Sequence, residues 1–286
     1  QTQLGGLKHF DSEFAAKLDD FDLMIGHLRS VGVEIKGARL VEVGSGWYPT
    51  FPYCLYLLGA ARVDTYDLNR YVRPELVARM IKALGPHVPR LAERWSVDLA
   101  DIDARYQRLA RASATADFAA ATDGVVRYSA PADATSTNLA DESVDVQFSN
   151  SVLEHVPAAV LDGLYAEAMR TLRPGGVMFH SVNCGDHYAY VDKSIDQLHY
   201  LQFSSADWAK WNNEFLYQNR LRAEDFTNAA SRAGFAIEVD TSRPHPTRLA
   251  QLAKLTVAPE FSRYTRDQLA ITSIDFVGRK PLRPSR

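Results

Sequence analysis

The sequence has little of several features that would indicate particular classes of protein. It contains only two cysteines, Cys54 and Cys184, far apart in the chain, which excludes a disulfide framework and a cysteine zinc site. No apolar run approaches the ~20 residues that span a bilayer, and residues 1–18 lack the apolar core of a signal peptide. The net charge of −3 and the pI near 6.3 argue against a nucleic-acid partner. We therefore expect a protein without a membrane span, located in the reducing cytoplasm.

The chain also lacks the third glycine of a dinucleotide-binding turn. An apolar run at residues 40–43 leads into Gly44-Ser45-Gly46, but residues 47–50 are Trp-Tyr-Pro-Thr. A pyrophosphate needs a close helix packed under it, so NAD and FAD are disfavoured. The acidic Glu42 fits poorly beside phosphates and well beside a cationic amino-acid ligand. The turn therefore predicts a cofactor site, with an ordinary strand-to-helix turn as the alternative.

Strand patterns alternate with helical ones through the middle of the chain. A second strand ends in Asp67, about 20 residues after the glycine turn, where an acid commonly holds ribose hydroxyls. This alternation predicts a doubly wound α/β sheet. The further predicted strands lie at residues 125–130, 143–150 and 177–180, the last after the turn Pro174-Gly175-Gly176.

In the order and type of these motifs the chain resembles the class I S-adenosylmethionine-dependent methyltransferases, of the type 11-like group that methylates small molecules. The matching segments span roughly residues 38–182. The resemblance implies a Rossmann-like, seven-stranded sheet that is mostly parallel, with its last strand antiparallel. Residues 234–239 and 271–278 would supply the final two strands.

The resemblance also implies the cofactor, S-adenosyl-L-methionine, and the residues that bind it. The methionine part would lie against the glycine turn, the ribose on Asp67, and the adenine near Asp133 and Ala134, with Asn150 bordering the methyl donor. The residues assigned to the cofactor are Glu42, Gly44, Ser45, Gly46, Asp67, Asp133, Ala134 and Asn150.

Two segments exceed the minimal fold, although we expect residues 1–286 to form a single domain. Residues 70–125 hold more than one crossover helix requires and predict helices over 74–84, 89–95 and 102–121. This insertion is a candidate lid or homodimer contact, or a packed elaboration. Residues 183–223 follow the fifth strand, where open α/β sheets place ligands.

The second segment, 183–223, is unusually aromatic and is the predicted cap over the substrate. Planar faces combined with polar groups suit a sugar-like or polyhydroxylated acceptor, whereas an amphipathic cap over the sheet is the alternative. The residues predicted to bind the acceptor are Tyr188, His199, Trp208, Asn219 and Arg220.

Methyl transfer to a hydroxyl requires a group that removes the proton, and a histidine suits that role. His187 follows Asp186, which would orient a neighbouring base, and is the first candidate. His180 is the second. His155, in Leu153-Glu154-His155, is a third, with a packing or cofactor-adjacent role as its alternative. A divalent ion bound by Asp186, His187, Asp192 and Asp196 would instead lower the pKa of the acceptor hydroxyl directly. Because spacing within a loop does not establish such a site, we assign no metal ligands.

These patterns predict an O-methyltransferase that acts on a small polar acceptor, such as a sugar or glycan unit or a natural product. The alternatives are N- or carboxylate methylation of another metabolite, a non-catalytic protein that binds S-adenosylmethionine, and a nicotinamide-dependent oxidoreductase. The acceptor and the methylated position depend on loop shape, which the fold does not supply.

Overall fold

The computed structural model describes residues 10–112, 117–213 and 217–283. Seven strands form one sheet in the order β3-β2-β1-β4-β5-β7-β6. The strands are β1 Arg39–Val43, β2 Arg62–Tyr66, β3 Val126–Ser129, β4 Val144–Asn150, β5 Leu172–Asn183, β6 Ala236–Asp240 and β7 Ser273–Arg279. The predicted α/β sheet is confirmed, including the two final strands.

Twelve α-helices are present in the described residues, besides short 3-10 helices such as Leu153–His155. They are α1 Phe10–Ser30, α2 Thr50–Leu57, α3 Pro74–Leu84, α4 Val88–Trp95, α5 Leu99–Arg111, α6 Phe118–Ala121, α7 Ala158–Thr171, α8 Tyr188–Val191, α9 Ser205–Trp208, α10 Ala223–Arg232, α11 Pro246–Leu252 and α12 Arg266–Leu269.

Strand direction follows the pattern that the resemblance implies. Strand β1 pairs in parallel with β2 and β4, and β2 pairs in parallel with β3. Strand β7 is antiparallel to both of its neighbours, β5 and β6. The four residues Leu40–Val43 of β1 are all buried, as expected of a central parallel strand covered on both faces.

The chain divides into two compact units. The first comprises residues 1–148 and 171–176, and the second comprises residues 149–170 and 177–286. In the first, α2 packs on β2 and β3, and in the second, α10 packs on β6 and β7. The prediction of a single domain over 1–286 stays a prediction.

The predicted single helix over 102–121 is wrong, because in the described residues of this range α5 ends at Arg111 and α6 begins at Phe118; residues 113–116 lie outside the described residues. Helix α5 begins earlier, at Leu99, because the Asp98 carboxylate caps the amides of Ala100 and Asp101. Helix α6 has its own cap, Asp117, whose side chain accepts from the Ala120 amide.

The predicted turn before the fifth strand lies inside β5 instead. Strand β5 begins at Leu172, ahead of Pro174. A Cβ at Gly176 would lie 2.9 Å from the Arg173 carbonyl oxygen, so only glycine fits this part of the strand.

In the part of the chain that the structure describes, no helix is both long enough and apolar enough to cross a membrane.

Candidate functional site

The glycine turn follows β1 directly and leaves backbone exposed to a ligand. Gly44 and Gly46 have φ values of 87° and 65°, which L side chains rarely adopt. The Gly44 amide donates to the Tyr66 carbonyl at 2.8 Å, which holds the turn against the end of β2. A Cβ added at Gly46 would meet no atom of the described residues within 4 Å. The turn is therefore a cradle that a side chain at position 46 would partly fill.

The Glu42 carboxyl lies buried at the base of this turn. The Thr65 hydroxyl donates to Glu42, and the Ser45 hydroxyl lies 2.5 Å from the Thr65 hydroxyl. Burial raises the pKa of Glu42 to about 8, opposed by the Thr65 hydrogen bond and the charge of Lys17. A cationic ligand group would favour the ionised carboxylate here. Because Thr65 donates to Glu42, the Ser45 hydroxyl donates to Thr65 and keeps the lone pairs of its oxygen as acceptors.

Asp67, the residue after β2, ties the turn to the neighbouring strand. Its carboxylate accepts from the Gly46 amide at 3.0 Å and from the Asn69 amide at 3.0 Å. Burial raises the pKa of Asp67, and these two hydrogen bonds oppose the shift. Each oxygen retains acceptor capacity for a hydroxyl of a ligand.

The remaining predicted cofactor residues lie at the ends of other strands. Asp133 is exposed, and its Oδ1 accepts from the amide and the hydroxyl of Thr135, each at 2.8 Å. Ala134 is buried. Asn150 ends β4 and belongs to the second unit. These placements are compatible with the cofactor assignments, which stay predictions.

Trp47 and Tyr48, which stand where a small residue is commoner, pack the turn. The Trp47 ring stacks on Tyr71 at 5.1 Å between centroids. Tyr48 is buried against Phe10 at 5.3 Å. Both therefore contribute apolar contacts around the cradle.

In the second unit, the prediction that Asp186 orients His187 is wrong. The fully buried Asp186 carboxylate lies 3.3 Å from Nδ1 of His199 and accepts from the Tyr188 amide at 2.9 Å. Burial raises the pKa of Asp186, and these contacts oppose the shift. Asp186 thus positions His199, a predicted acceptor residue, because the chain turns back between them.

His180 is placed in the core, which counts against its predicted role as a base. It is 1% exposed, and its Nδ1 lies 2.8 Å from the Ser149 hydroxyl. Its ring packs against Tyr165 and Phe276. Burial lowers the pKa of His180 to about 3, so it remains neutral at physiological pH.

Four of the predicted acceptor residues, Tyr188, Trp208, Asn219 and Arg220, have partners within the chain. Trp208 is buried in an apolar cluster with Tyr200 and Leu201. Arg220 donates to the carbonyls of Tyr200 and Phe203, at 3.1 and 2.6 Å, and lies over the Trp208 ring.

Asn219 donates through its side-chain amide to the carbonyls of Leu153 and Val156, at 2.7 and 2.8 Å. Its side-chain oxygen accepts from the Leu221 amide at 3.0 Å. Sequence cannot distinguish such internal hydrogen bonds from ligand contacts. Tyr188 also uses its hydroxyl internally, donating to the Trp211 carbonyl at 2.8 Å.

The structure instead groups His155 and His187 with Glu154. One ligand atom from each residue lies within 4.8 Å of the others, and the two rings are 5.0 Å apart. Glu154 is 2% exposed, and neither carboxylate oxygen has a hydrogen-bond partner among the described residues. Burial raises the pKa of Glu154 to about 8, opposed by nearby backbone amides. Burial and the neighbouring His155 lower the pKa of His187 to about 4.

Glu154 was not among the predicted site residues. The available signal was an acidic residue in an otherwise apolar turn just after a strand, directly before a histidine. Its partner His187 is separated from it by α7 and β5, so only folding brings the two together.

We call Glu154, His155 and His187 the Glu-His-His cluster. Residues 217–219 form hydrogen bonds with all three of them. Nδ1 of His155 donates to the Tyr217 carbonyl at 2.6 Å. The His187 amide donates to the Gln218 side chain at 3.0 Å. The Asn219 amide donates to the Glu154 carbonyl at 2.9 Å. One short segment therefore positions the whole cluster.

Comparison with known proteins agrees with this architecture. A family model described as a methyltransferase domain matches residues 84–180. None of the curated protein sequences compared with the chain matches it.

Two solved structures show the same fold. Geranyl diphosphate C-methyltransferase from Streptomyces coelicolor A3(2), solved with Mg²⁺, geranyl diphosphate and S-adenosyl-L-homocysteine, superposes with a TM-score of 0.51 at 13% identity, covering 95% of this chain and 84% of that one. A candidate sarcosine dimethylglycine methyltransferase from Galdieria sulphuraria has a TM-score of 0.50 at 17% identity, covering 93% and 87%.

The sheet order and the family match confirm the resemblance seen in the sequence. Residues 84–180 match a methyltransferase domain, and the sheet order is that of the fold which the resemblance to class I S-adenosylmethionine-dependent methyltransferases implies. The glycine cradle, the buried Glu42 and the accepting Asp67 fit that cofactor.

Proposed function

We propose that the protein is an S-adenosylmethionine-dependent O-methyltransferase that acts on a hydroxyl of a small polar acceptor, such as a sugar or glycan unit or a natural product. The observation that carries this proposal is the Glu-His-His cluster, which gathers two imidazoles able to accept a proton beside a buried carboxyl group. An amine that is already free, or a carboxylate, would not need them.

In this proposal the cofactor is held by the first unit. Glu42 pairs with the cationic amino group, the turn at Gly44 and Gly46 lets the ligand approach the backbone, and Asp67 accepts from the ribose hydroxyls. When bound, S-adenosylmethionine supplies a methyl group on a positively charged sulfur and leaves as S-adenosylhomocysteine.

The second unit handles the acceptor and its proton. Because Nδ1 of His155 donates to a carbonyl, its Nε2 carries a lone pair that accepts a proton. His187, kept neutral by its lowered pKa, adds a second neutral imidazole nitrogen. The acceptor hydroxyl therefore loses its proton to this cluster, or has its pKa lowered there, as the new bond to carbon forms.

Within the predicted acceptor segment 183–223, we propose that the acceptor binds close to His187. Tyr190 is 52% exposed, and its ring lies 5.5 Å from that of His187. Trp211 is 57% exposed. We propose that these exposed rings contact the acceptor, since Tyr200 and Trp208 belong to the core.

Location and assembly complete the proposal. Both cysteines are buried free thiols, which suits a reducing cytoplasm. The helices of residues 70–125 remain the surface that we propose for a homodimer contact, and sedimentation at several concentrations tests it.

The experiment starts with calorimetric titration of S-adenosylmethionine, S-adenosylhomocysteine and NADH. Isotope-labelled methyl transfer is then measured over glycosides, other hydroxylated compounds, amines and carboxylic acids. We expect the first two ligands to bind, NADH to give no heat, and hydroxylated acceptors to be labelled. Labelling confined to amines or carboxylates would overturn O-methylation, and binding without any transfer would favour a non-catalytic protein.

His187→Ala tests the cluster directly. We expect turnover of a hydroxyl acceptor to fall by about 100-fold, because proton removal contributes about that much or more. Cofactor affinity should stay within about twofold, as the residue lies outside the proposed cofactor turn. His245→Asn is the matched control, because His245 is an exposed helix cap on α11 and asparagine also caps. Near-normal turnover in His187→Ala would contradict the role of the cluster.

A further inference from the structure

We propose that Glu154, His155 and His187 form a binding site for one divalent transition-metal ion. Two imidazoles and one carboxylate are a common ligand set for such ions. The ion-binding part of this inference stands independently of the acceptor, and only its catalytic consequence rests on the proposed function.

The first support is the state of the buried carboxylate. Glu154 is 2% exposed, its carboxylate faces the two imidazoles, and neither oxygen has a hydrogen-bond partner in the described parts of the chain. A buried carboxylate without a partner is costly, so such groups are normally paired or coordinate a cation. Among the described residues, no lysine or arginine side chain hydrogen-bonds to either carboxylate oxygen of Glu154.

A second buried atom in the cluster is also without a partner. Nε2 of His187 is buried and has no hydrogen-bond partner among residues 10–112, 117–213 and 217–283. Such a nitrogen, beside an unpartnered carboxylate, is a donor pair that a cation would satisfy.

The spacing of the ligand atoms is close to that of a metal site. Two ligands that each lie about 2.1 Å from one ion are at most about 4.2 Å apart. The three candidate atoms lie within 4.8 Å of one another. Displacements of the ligand atoms by less than about 1 Å would therefore allow all three to bind one ion.

The surroundings resemble those that orient metal-bound histidines. His155 donates its Nδ1 hydrogen to the Tyr217 carbonyl, which fixes the tautomer and leaves Nε2 able to bind an ion. Gln218 and Asn219 hold the backbone of His187 and Glu154. His155 is exposed, so the cluster has an access path from solvent.

The proposed site is not the metal site considered in the sequence analysis, and the two have only His187 in common. Asp192 is exposed and accepts from Ser194, and Asp196 accepts from the Leu198 amide. The Asp186 carboxylate already contacts Nδ1 of His199 and accepts a hydrogen bond from the Tyr188 amide. Of the four residues weighed there, only His187 belongs to the one three-residue group that the described residues form.

Nitrogen-containing ligand sets select Zn²⁺, Mn²⁺, Fe²⁺ or Co²⁺ over Ca²⁺, which prefers oxygen. Three protein ligands leave positions open for an acceptor oxygen. An ion there would lower the pKa of a bound hydroxyl, so that the proton leaves without a histidine acting as the base.

The test uses the full chain, freed of metal by dialysis against a chelator and titrated calorimetrically with Zn²⁺, Mn²⁺ and Ca²⁺. We expect one Zn²⁺ and one Mn²⁺ per chain and much weaker Ca²⁺ binding. Glu154→Gln and, separately, His155→Ala should each weaken Zn²⁺ binding by about 10-fold to 100-fold. His245→Asn should bind like the wild type.

The two substitutions keep the test decisive. Removing a buried unpartnered carboxylate should leave the protein folded, and His155 is exposed, so at least one variant is expected to retain its thermal midpoint. No binding by the wild type, or binding equal in all variants, would overturn the site. Metal bound at the cluster with no methyl transfer to any acceptor would support the site while removing the proposed function.

Discussion

The glycine turn of the first unit and the Glu-His-His cluster of the second differ in how their buried polar groups are satisfied. At the turn, Glu42 accepts from Thr65, and Asp67 accepts from two backbone amides. In the cluster, both oxygens of Glu154 and Nε2 of His187 have no partner among the described residues. Glu42 and Asp67 therefore have hydrogen-bond partners before a ligand arrives, whereas Glu154 and Nε2 of His187 do not.

This difference indicates how each region would respond to its ligand. A site whose groups already bond to one another is preorganised and loses little on binding. An unpartnered buried group costs about 1–3 kcal/mol, and a catalytic role or a bound ion is one explanation for such a group. We therefore expect substitutions at the turn to affect cofactor affinity, and substitutions at the cluster to affect proton transfer or ion binding.

The largest expected effect is that of Gly46→Val on cofactor binding. The new side chain enters the cradle, and we expect affinity for S-adenosylmethionine to fall by about 100-fold or more, equivalent to about 2.7 kcal/mol. Gly37→Val is the matched control, because Gly37 has a φ of 80° and also has open space around its Cα. Both variants should lose about 1–2 kcal/mol of stability from backbone strain. Equal affinity of the two variants in calorimetry would remove the turn from the cofactor site.

The second effect separates the two acids assigned to the cofactor. Asp67→Ala should weaken S-adenosylmethionine binding by about 30-fold, because it removes acceptors for the ribose and the anchor of the Gly46 amide. Asp133→Ala should cost less, since Asp133 is exposed and water competes for its partner. Titration of both proteins with the cofactor compares them, and a larger loss at Asp133 would reverse the assignment.

The third effect concerns the support of the cluster. Asn219→Ala removes two hydrogen bonds to the turn that carries Glu154 and His155, and should cost about 2 kcal/mol of unfolding free energy. Cofactor affinity should be unchanged. Asn228→Ala, on an exposed position of α10, is the control in urea unfolding. If the Asn219 variant is as stable as this control, the turn that carries Glu154 and His155 does not depend on the Asn219 hydrogen bonds.

The smallest expected effect is a change in the free energy of unfolding with pH that results from the ionisation of Glu42. The pKa of Glu42 is raised to about 8 from an ordinary 4.5, so its contribution to stability is complete below about pH 4.5 and is lost as the pH rises toward 8. The slope is at most about 1.4 kcal/mol per pH unit. Glu42→Gln should flatten this part of the curve in urea unfolding at pH 5 to 8 without cofactor. Glu93→Gln, at an exposed position, should keep the wild-type slope, and the same curve in both variants would contradict the raised pKa.

Local patterns were sufficient for most of the sheet and for the glycine turn after β1. Helix α3 occupies the predicted residues 74–84, because proline opens it and an apolar stripe follows. The helix predicted over 102–121 fails because Asp98 and Asp117 act as two separate caps. Caps depend on a single side chain, so periodicity alone does not detect them.

The sequence by itself determined the fold class, the glycine turn and the acids at the ends of β1 and β2, because strand and turn chemistry is local. Only the tertiary structure decided which histidines are available. It buries His180, pairs His199 with Asp186, and brings His187 to Glu154 across α7 and β5. The physical reason is that burial and partnership depend on residues distant in the chain, and these set the pKa and the chemistry of each side chain.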